Sequence, residues 1–182
     1  MFPALFMDRD GVIIEYRKHY VRSWSDVVIY PSALAALAKV KDSPYKVVII
    51  TNQSAVGRGI ISLNAAIDIN KRLVDQIIKG GGKVDRIFMC PHKPEDNCQC
   101  RKPKPGLIIQ AAEELKLDLP NSVLIGDALS DLEAGQVAGV GKLILVRTGR
   151  GRQEELRISK SQIKNILVAD SLWEVFEQFI RL

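Results

Sequence analysis

Two carboxylates, Asp8 and Asp10, follow the apolar run Ala4-Leu5-Phe6-Met7 and precede Gly11. Residues i and i+2 at a strand end point the same way, so both acids face one reacting centre if that end opens on a cleft. Two like charges that close need a cation between them, and the stretch predicts a divalent metal. Acidic residues at such junctions also serve merely to satisfy backbone amides, so the pair needs company elsewhere in the chain to carry chemistry.

That company comes at three further places: Thr51-Asn52, Arg101-Lys102, and Gly126-Asp127, with Asp131 four residues after Asp127. Together they supply a carboxylate nucleophile, an acid/base, a hydroxyl and amide for a phosphoryl oxygen, an ammonium for its charge, and a third carboxylate for magnesium. Lys104 competes with Lys102 for the ammonium role. Lys102 is preferred because it follows Arg101 directly after the last cysteine.

A second metal is written into the middle of the chain. All three cysteines, Cys90, Cys98 and Cys100, lie within one short stretch that also holds His92. Three thiolates and one imidazole suit tetrahedral zinc with no coordination position left open, which makes the zinc structural. An odd, clustered set is a poor disulfide framework. The loop runs straight into Arg101-Lys102, so the metal would fix two cations at the cleft.

The elements that must position these groups alternate. Apolar, β-branched runs at residues 4–7, 46–50, 84–89, 123–125, 143–146 and 165–168 read as strands. Between them lie helical patterns: one capped by Ser32 with Leu34, Leu37 and Ala38 inward, and one capped by Ser62 with Leu63, Ala66, Ile67, Leu73, Val74, Ile77 and Ile78 inward. A third carries Leu107, Ile108, Ala111, Ala112 and Leu115, a fourth Leu132 and Val137, and Ser171 caps a last one with Leu172, Val175, Phe176 and Phe179 inward. This alternation predicts an α/β fold, a Rossmann-like parallel sheet with helices on both faces. In such sheets ligands bind beyond the carboxyl ends of the strands, where the acids and Thr51-Asn52 fall.

The 182 residues are expected to form a single domain, residues 1–182, with a zinc loop near the active site and no large cap domain, because residues 15–45 leave little room for an insertion. No apolar run approaches a membrane span and no basic leader precedes the first strand, so a cytoplasmic monomer without membrane contact is expected. The 26 basic and 21 acidic side chains leave +5, which favours anionic, phosphorylated partners. A nucleic-acid module would use the zinc loop and the basic stretch Arg147 to Arg152, but the aromatics interleaved in single-strand binders are missing from the basic stretches, so nucleic acid is not the expected partner. Arg147 to Arg152 reads equally as a solvated surface or as a contact to a second phosphate.

Asp8 to Gly11, Thr51-Asn52, the lysine and Gly126-Asp127 to Asp131 stand in the order found in the haloacid dehalogenase superfamily of phosphotransferases, which this chain resembles over most of its length. The resemblance implies that Asp8 attacks phosphorus to give an aspartyl phosphate, and that Asp10 protonates the leaving oxygen and then activates water. It also implies Mg2+ held by Asp8, the Asp10 backbone carbonyl and Asp127, with Asp131 orienting the site. With the zinc loop Cys90, His92, Cys98 and Cys100, the likeness narrows to the subfamily of heptose bisphosphate and histidinol-phosphate phosphatases. Asp-Arg-Asp-Gly, Thr-Asn-Gln-Ser, Arg58-Gly59 and Arg101-Lys102-Pro103 look most like the heptose members.

That likeness implies a small phosphorylated sugar as substrate, with loss of its C7 phosphate. Thr51 and Lys102 would hold the transferring phosphoryl group. Asn52, Gln53, Ser54, His19 and Tyr20 would line the sugar, and Arg101 would grip its far end. The chain departs from the pattern at Ala55-Val56 and in the short spacer of the zinc loop, which is more like the histidinol enzymes; histidinol phosphate and other small sugar phosphates are the alternative substrates.

Overall fold

The computed structural model describes residues 1–180. Six strands, β1 (Ala4–Met7), β2 (Lys46–Asn52), β3 (Arg86–Cys90), β4 (Val123–Gly126), β5 (Lys142–Val146) and β6 (Ile166–Ala169), form one sheet in the order β3-β2-β1-β4-β5-β6. Every pairing is parallel. The chain builds β1, β2 and β3 outward to one side, then crosses back to lay β4 against the other side of β1. That reversal is the position where parallel sheets open a crevice, and it puts Asp8, directly after β1, at its floor.

Among the described residues seven α-helices accompany the sheet: α1 (Pro31–Lys39), α2 (Ser54–Gly57), α3 (Leu63–Lys79), α4 (Gly106–Leu115), α5 (Leu129–Ala138), α6 (Gly151–Glu155) and α7 (Leu172–Gln178). Strand residues alternate between two cores. Leu5, Met7, Val47, Ile49 and Ile125 face α1, α3 and α7, while Phe6, Val48, Ile50 and Leu124 face α4 and α5. Burial on both faces explains the unbroken apolar runs in the sequence.

Helix ends follow local chemistry. Ser62 and Ser171 cap α3 and α7, accepting bonds from the backbone N–H of Ala65 and Glu174. Ser32 does not cap α1. The helix begins at Pro31, whose fixed φ and missing N–H suit the first helical position, and Tyr30 stands at the cap.

Two helical faces differ from the sequence expectation. On α3 the stripe Ala66, Ile69, Asn70, Leu73, Ile77 is buried, whereas Leu63, Ile67 and Ile78 are exposed. The helix carries two apolar stripes of similar spacing, and only one can meet the sheet. On α5 Leu132 is buried as expected, but Val137 faces solvent and Leu129 is buried in its place.

β2 continues two residues beyond the expected end, so Thr51 and Asn52 remain in the ladder opposite Met89 and Cys90. The polar groups at that strand end therefore sit on a rigid element.

Candidate active site

Lys102 is the centre of the site. Its side chain is 1% exposed, and its Nζ lies 3.0 Å from Asp8 Oδ1 and 2.8 Å from Asp131 Oδ1. It also donates to the Ile50 carbonyl at 2.8 Å, so all three ammonium protons have acceptors. Burial works against the charged ammonium, but Asp131 and Asp8 outweigh it and raise the pKa of Lys102. The pKa of Asp8 rises as well, toward the uncharged acid: burial pushes it up to about 7, with Lys102 opposing and Asp131, Asp127 and Asp10 adding. Lys104 plays no such part, since its Nζ turns outward to the Asn97 carbonyl.

Asp10 is held from two sides. Arg9 Nε and Nη2 donate to its two carboxylate oxygens at 3.0 and 3.1 Å, and Gln53 Nε2 donates to Oδ2 at 2.8 Å. Arg9 is 1% exposed and is anchored in turn by its Nη1 bond of 2.8 Å to Asn70 Oδ1 on α3. Sequence reasoning missed Arg9 and Asn70. A charged residue between the two acids points away from the cleft by strand parity, and Asn70 is the one polar position in the buried stripe of α3; both were signals for a buried polar network.

Asp8, Asp10, Tyr20, Asn52, Gln53, Ser54, Arg101, Lys102, Asp131 and Arg150 line one cleft of about 440 Å³. Arg101, half-buried, donates to the His92 carbonyl at 3.2 Å. Thr51 lies one layer beneath the cleft wall, fully buried, with its hydroxyl accepting from Gln53 Nε2 at 2.8 Å. His19 is not brought into this cleft; it lines an adjoining outer depression with Arg17, Lys18 and Arg22.

Carboxylate oxygens of Asp8, Asp127 and Asp131 lie within 4.8 Å of one another, all buried. Asp127 is fully buried, and burial together with the charge of Asp131 raises its pKa against the bonds from Arg150. Gly11 and Gly149 both adopt positive φ and press their backbones against its carboxylate, where any Cβ would overlap it. Three buried acids around one point, met by few cations, fit a divalent ion. Asp131 uses Oδ1 on Lys102 and Oδ2 on the Ala128 N–H at 3.2 Å, and both oxygens of Asp127 meet Arg150, whereas only Oδ1 of Asp8 is bonded, to Lys102 and to the Arg9 N–H. The Asp10 side chain is engaged by Arg9 and Gln53, while among the described residues no donor bonds its backbone carbonyl.

The four soft ligands also converge. Sγ of Cys90 lies 3.1 Å from that of Cys100 and 3.6 Å from that of Cys98, and His92 Nδ1 lies 3.3 Å from Cys100 Sγ. Burial opposes ionisation of all three thiols; hydrogen bonds from Cys100 and Cys90 bring that of Cys98 down to about 7, while those of Cys90 and Cys100 stay raised. The loop rests on α2: Gln53 N donates to the Cys90 carbonyl at 2.7 Å and Gly57 N to that of Pro91 at 2.8 Å. A Cβ at Gly57 would meet Lys93 N at 2.8 Å. The basic stretch divides: Arg147 pairs with Glu155 and Asp170, whereas Arg150 turns inward to Asp127.

Comparison with known proteins gives consistent findings. A family model described as HAD-hydrolase-like matches residues 99–175. D-glycero-beta-D-manno-heptose-1,7-bisphosphate 7-phosphatase from Bordetella bronchiseptica is 40% identical over 82% of this chain and 83% of its own. The enzyme of that name from Vibrio cholerae serotype O1 is 35% identical over 99% of this chain and 97% of its own. Among solved structures, D,D-heptose 1,7-bisphosphate phosphatase from B. bronchiseptica, complexed with magnesium and phosphate, superposes with a TM-score of 0.89 at 34% identity, over 97% of both chains. Among the described residues no helix is long and apolar enough to cross a membrane.

Proposed function

The chain belongs to the heptose-bisphosphate phosphatase family of haloacid-dehalogenase-like hydrolases, and on that premise we propose that it removes the C7 phosphate of D-glycero-D-manno-heptose 1,7-bisphosphate. The observation that carries the reading is the ammonium of Lys102 bonded at once to Asp8 and Asp131 beside a cleft shared with Asp10 and Arg101. An anionic nucleophile and an anionic phosphate ester repel, and these fixed cations offset that repulsion.

In this reading an oxygen of Asp8 attacks phosphorus and the bond from phosphorus to the sugar oxygen breaks. Asp10, oriented by Arg9 and Gln53, gives that oxygen its proton. Asp10 then takes a proton from water, whose oxygen attacks phosphorus. The bond to Asp8 breaks, releasing inorganic phosphate and restoring both acids. Magnesium, held by Asp8, Asp127 and the Asp10 carbonyl, would screen charge on the nucleophile and the phosphoryl oxygens. Arg101 would bind the second phosphate.

Zinc in the Cys90, His92, Cys98, Cys100 set has a structural role, fixing the loop that ends in Arg101 and Lys102. Thiols committed to a metal rather than to disulfides suit a reducing compartment, and the reading takes the chain as a single-domain cytoplasmic monomer.

The test is phosphate release with magnesium, comparing kcat/KM on the heptose bisphosphate with that on histidinol phosphate. A preference of roughly a hundredfold for the heptose, with Arg101→Ala costing more on the bisphosphate than on a monophosphate, is expected. Asp8→Asn should remain folded and inactive. Preference for histidinol phosphate would overturn the substrate, and an active Asp8→Asn enzyme would overturn the nucleophile.

A further inference from the structure

Asp127 is bonded to Arg150 in two different ways. The Arg150 backbone N–H donates to Oδ2 at 2.8 Å, and the guanidinium spans the carboxylate, Nη2 to Oδ1 at 3.0 Å and Nε to Oδ2 at 3.4 Å. The first bond belongs to a fixed turn, since Gly149 packs on Gly11 and Thr148 Oγ1 donates to the Gly11 carbonyl at 2.6 Å. The second belongs to a long side chain that is 38% exposed. Its guanidinium already stands over the Tyr16 ring, 5.2 Å from the centroid, and Tyr16 and Arg150 both line the cleft that holds Asp8, Asp10 and Arg101.

A divalent ion on Asp127 Oδ1 would stand a few ångströms from the guanidinium, and in a buried site two cations that close repel. We propose that Arg150 is an exchangeable counter-ion of Asp127: a divalent cation binding at Asp8 and Asp127 displaces the guanidinium from Oδ1 into the cleft. The inference rests on the metal-site reading above. The backbone N–H stays on Oδ2 throughout and keeps the carboxylate aimed. The released guanidinium remains within reach of Tyr16, which offers its ring face to the cation. There it adds a positive group to the cleft wall when the metal is bound, alongside Arg101, where an anionic substrate group would meet it. The metal-free carboxylate cluster meanwhile has a second cation beside Lys102.

Competition of this kind weakens the metal, so removing the side chain must strengthen it. Titration calorimetry of Mg2+ into the substrate-free protein, wild type against Arg150→Gln, is the test, with Asp127→Asn as the control for the site itself. Arg150→Gln keeps the backbone bond and should bind Mg2+ on the order of tenfold more tightly, since a charge-assisted bond no longer has to be broken. Arg150→Lys retains a cation and should bind Mg2+ less tightly than Arg150→Gln. Unchanged or weaker binding in Arg150→Gln would overturn the exchange. Equal affinity in wild type and Asp127→Asn would instead overturn the metal site on which it rests.

Discussion

Asn52 and Lys102 grip each other through one side chain and one backbone. Asn52 Oδ1 accepts the Lys102 N–H at 3.1 Å, and Asn52 Nδ2 donates to the Lys102 carbonyl at 3.1 Å. Asn52 is the last residue of β2, so the pair ties the end of the zinc loop to the sheet at the point where the ammonium must be aimed. Loss of the amide removes two bonds worth about 1 kcal/mol each, and small misplacements at a reacting centre cost on the order of a hundredfold. Asn52→Ala should therefore lower kcat at least tenfold, roughly, with only a modest fall in melting temperature. Wild-type kcat in that variant would remove Asn52 from the positioning of Lys102.

Two lysines two residues apart should behave oppositely. Lys102→Ala leaves Asp8 and Asp131 buried without their counter-ion and should reduce kcat/KM by about a thousandfold or more. Lys104→Ala loses only an outward bond to the Asn97 carbonyl and should stay within about twofold of wild type. Phosphate-release kinetics on the two variants decide it; a large loss in Lys104→Ala would reverse the assignment.

The raised pKa of Asp8 gives stability a pH dependence. In the unfolded chain this acid titrates near 3.8, and in the metal-free fold near 7. Between those values the fold holds a proton that the unfolded chain has released, so this group's contribution to stability falls as pH rises through that window. The raised pKa of Asp127 acts in the same direction. A divalent cation replaces the missing proton, so the rise in melting temperature on adding Mg2+ should be larger at about pH 8 than at about pH 5. Thermal melts at the two pH values, with and without Mg2+, check the sign; a larger rise at the lower pH would refute it.

Zinc should be removable only at a cost to catalysis. Metal analysis of the purified protein should find one zinc per chain, lost in Cys98→Ser or on prolonged chelation, with a lower melting temperature and a fall in kcat/KM as Arg101 and Lys102 lose their anchor. Gly57→Ala, which crowds Lys93 N and the Pro91 carbonyl from beneath the loop, should reproduce part of the zinc loss without touching a ligand. Full activity in a zinc-free protein would separate the loop from the chemistry.

The strands, to within a residue or two at their ends, their alternation with helices and the acids at their carboxyl ends are all legible in the residue pattern. Those features are local: apolar runs buried on both faces, an i, i+2 pair of acids, and four soft ligands in one short loop. Asp8, Asp127 and the cysteines could be named as candidate ligands because residue type, spacing and the order of the motifs restrict what they can do, whereas the lysine stayed a choice between Lys102 and Lys104.

The partners of these groups come from contacts between elements. Lys102 prevails over Lys104 because β2 puts the Ile50 carbonyl and Asn52 beneath it. Arg9 reaches Asn70, 61 residues away, and Asp127 meets Arg150, 23 residues away, through contacts that no spacing encodes. The choice between the two apolar stripes of α3 has the same origin. Sequence spacing sets the direction of a side chain along its own element, whereas meetings between elements follow from strand order and from which helical face the sheet leaves room to bury.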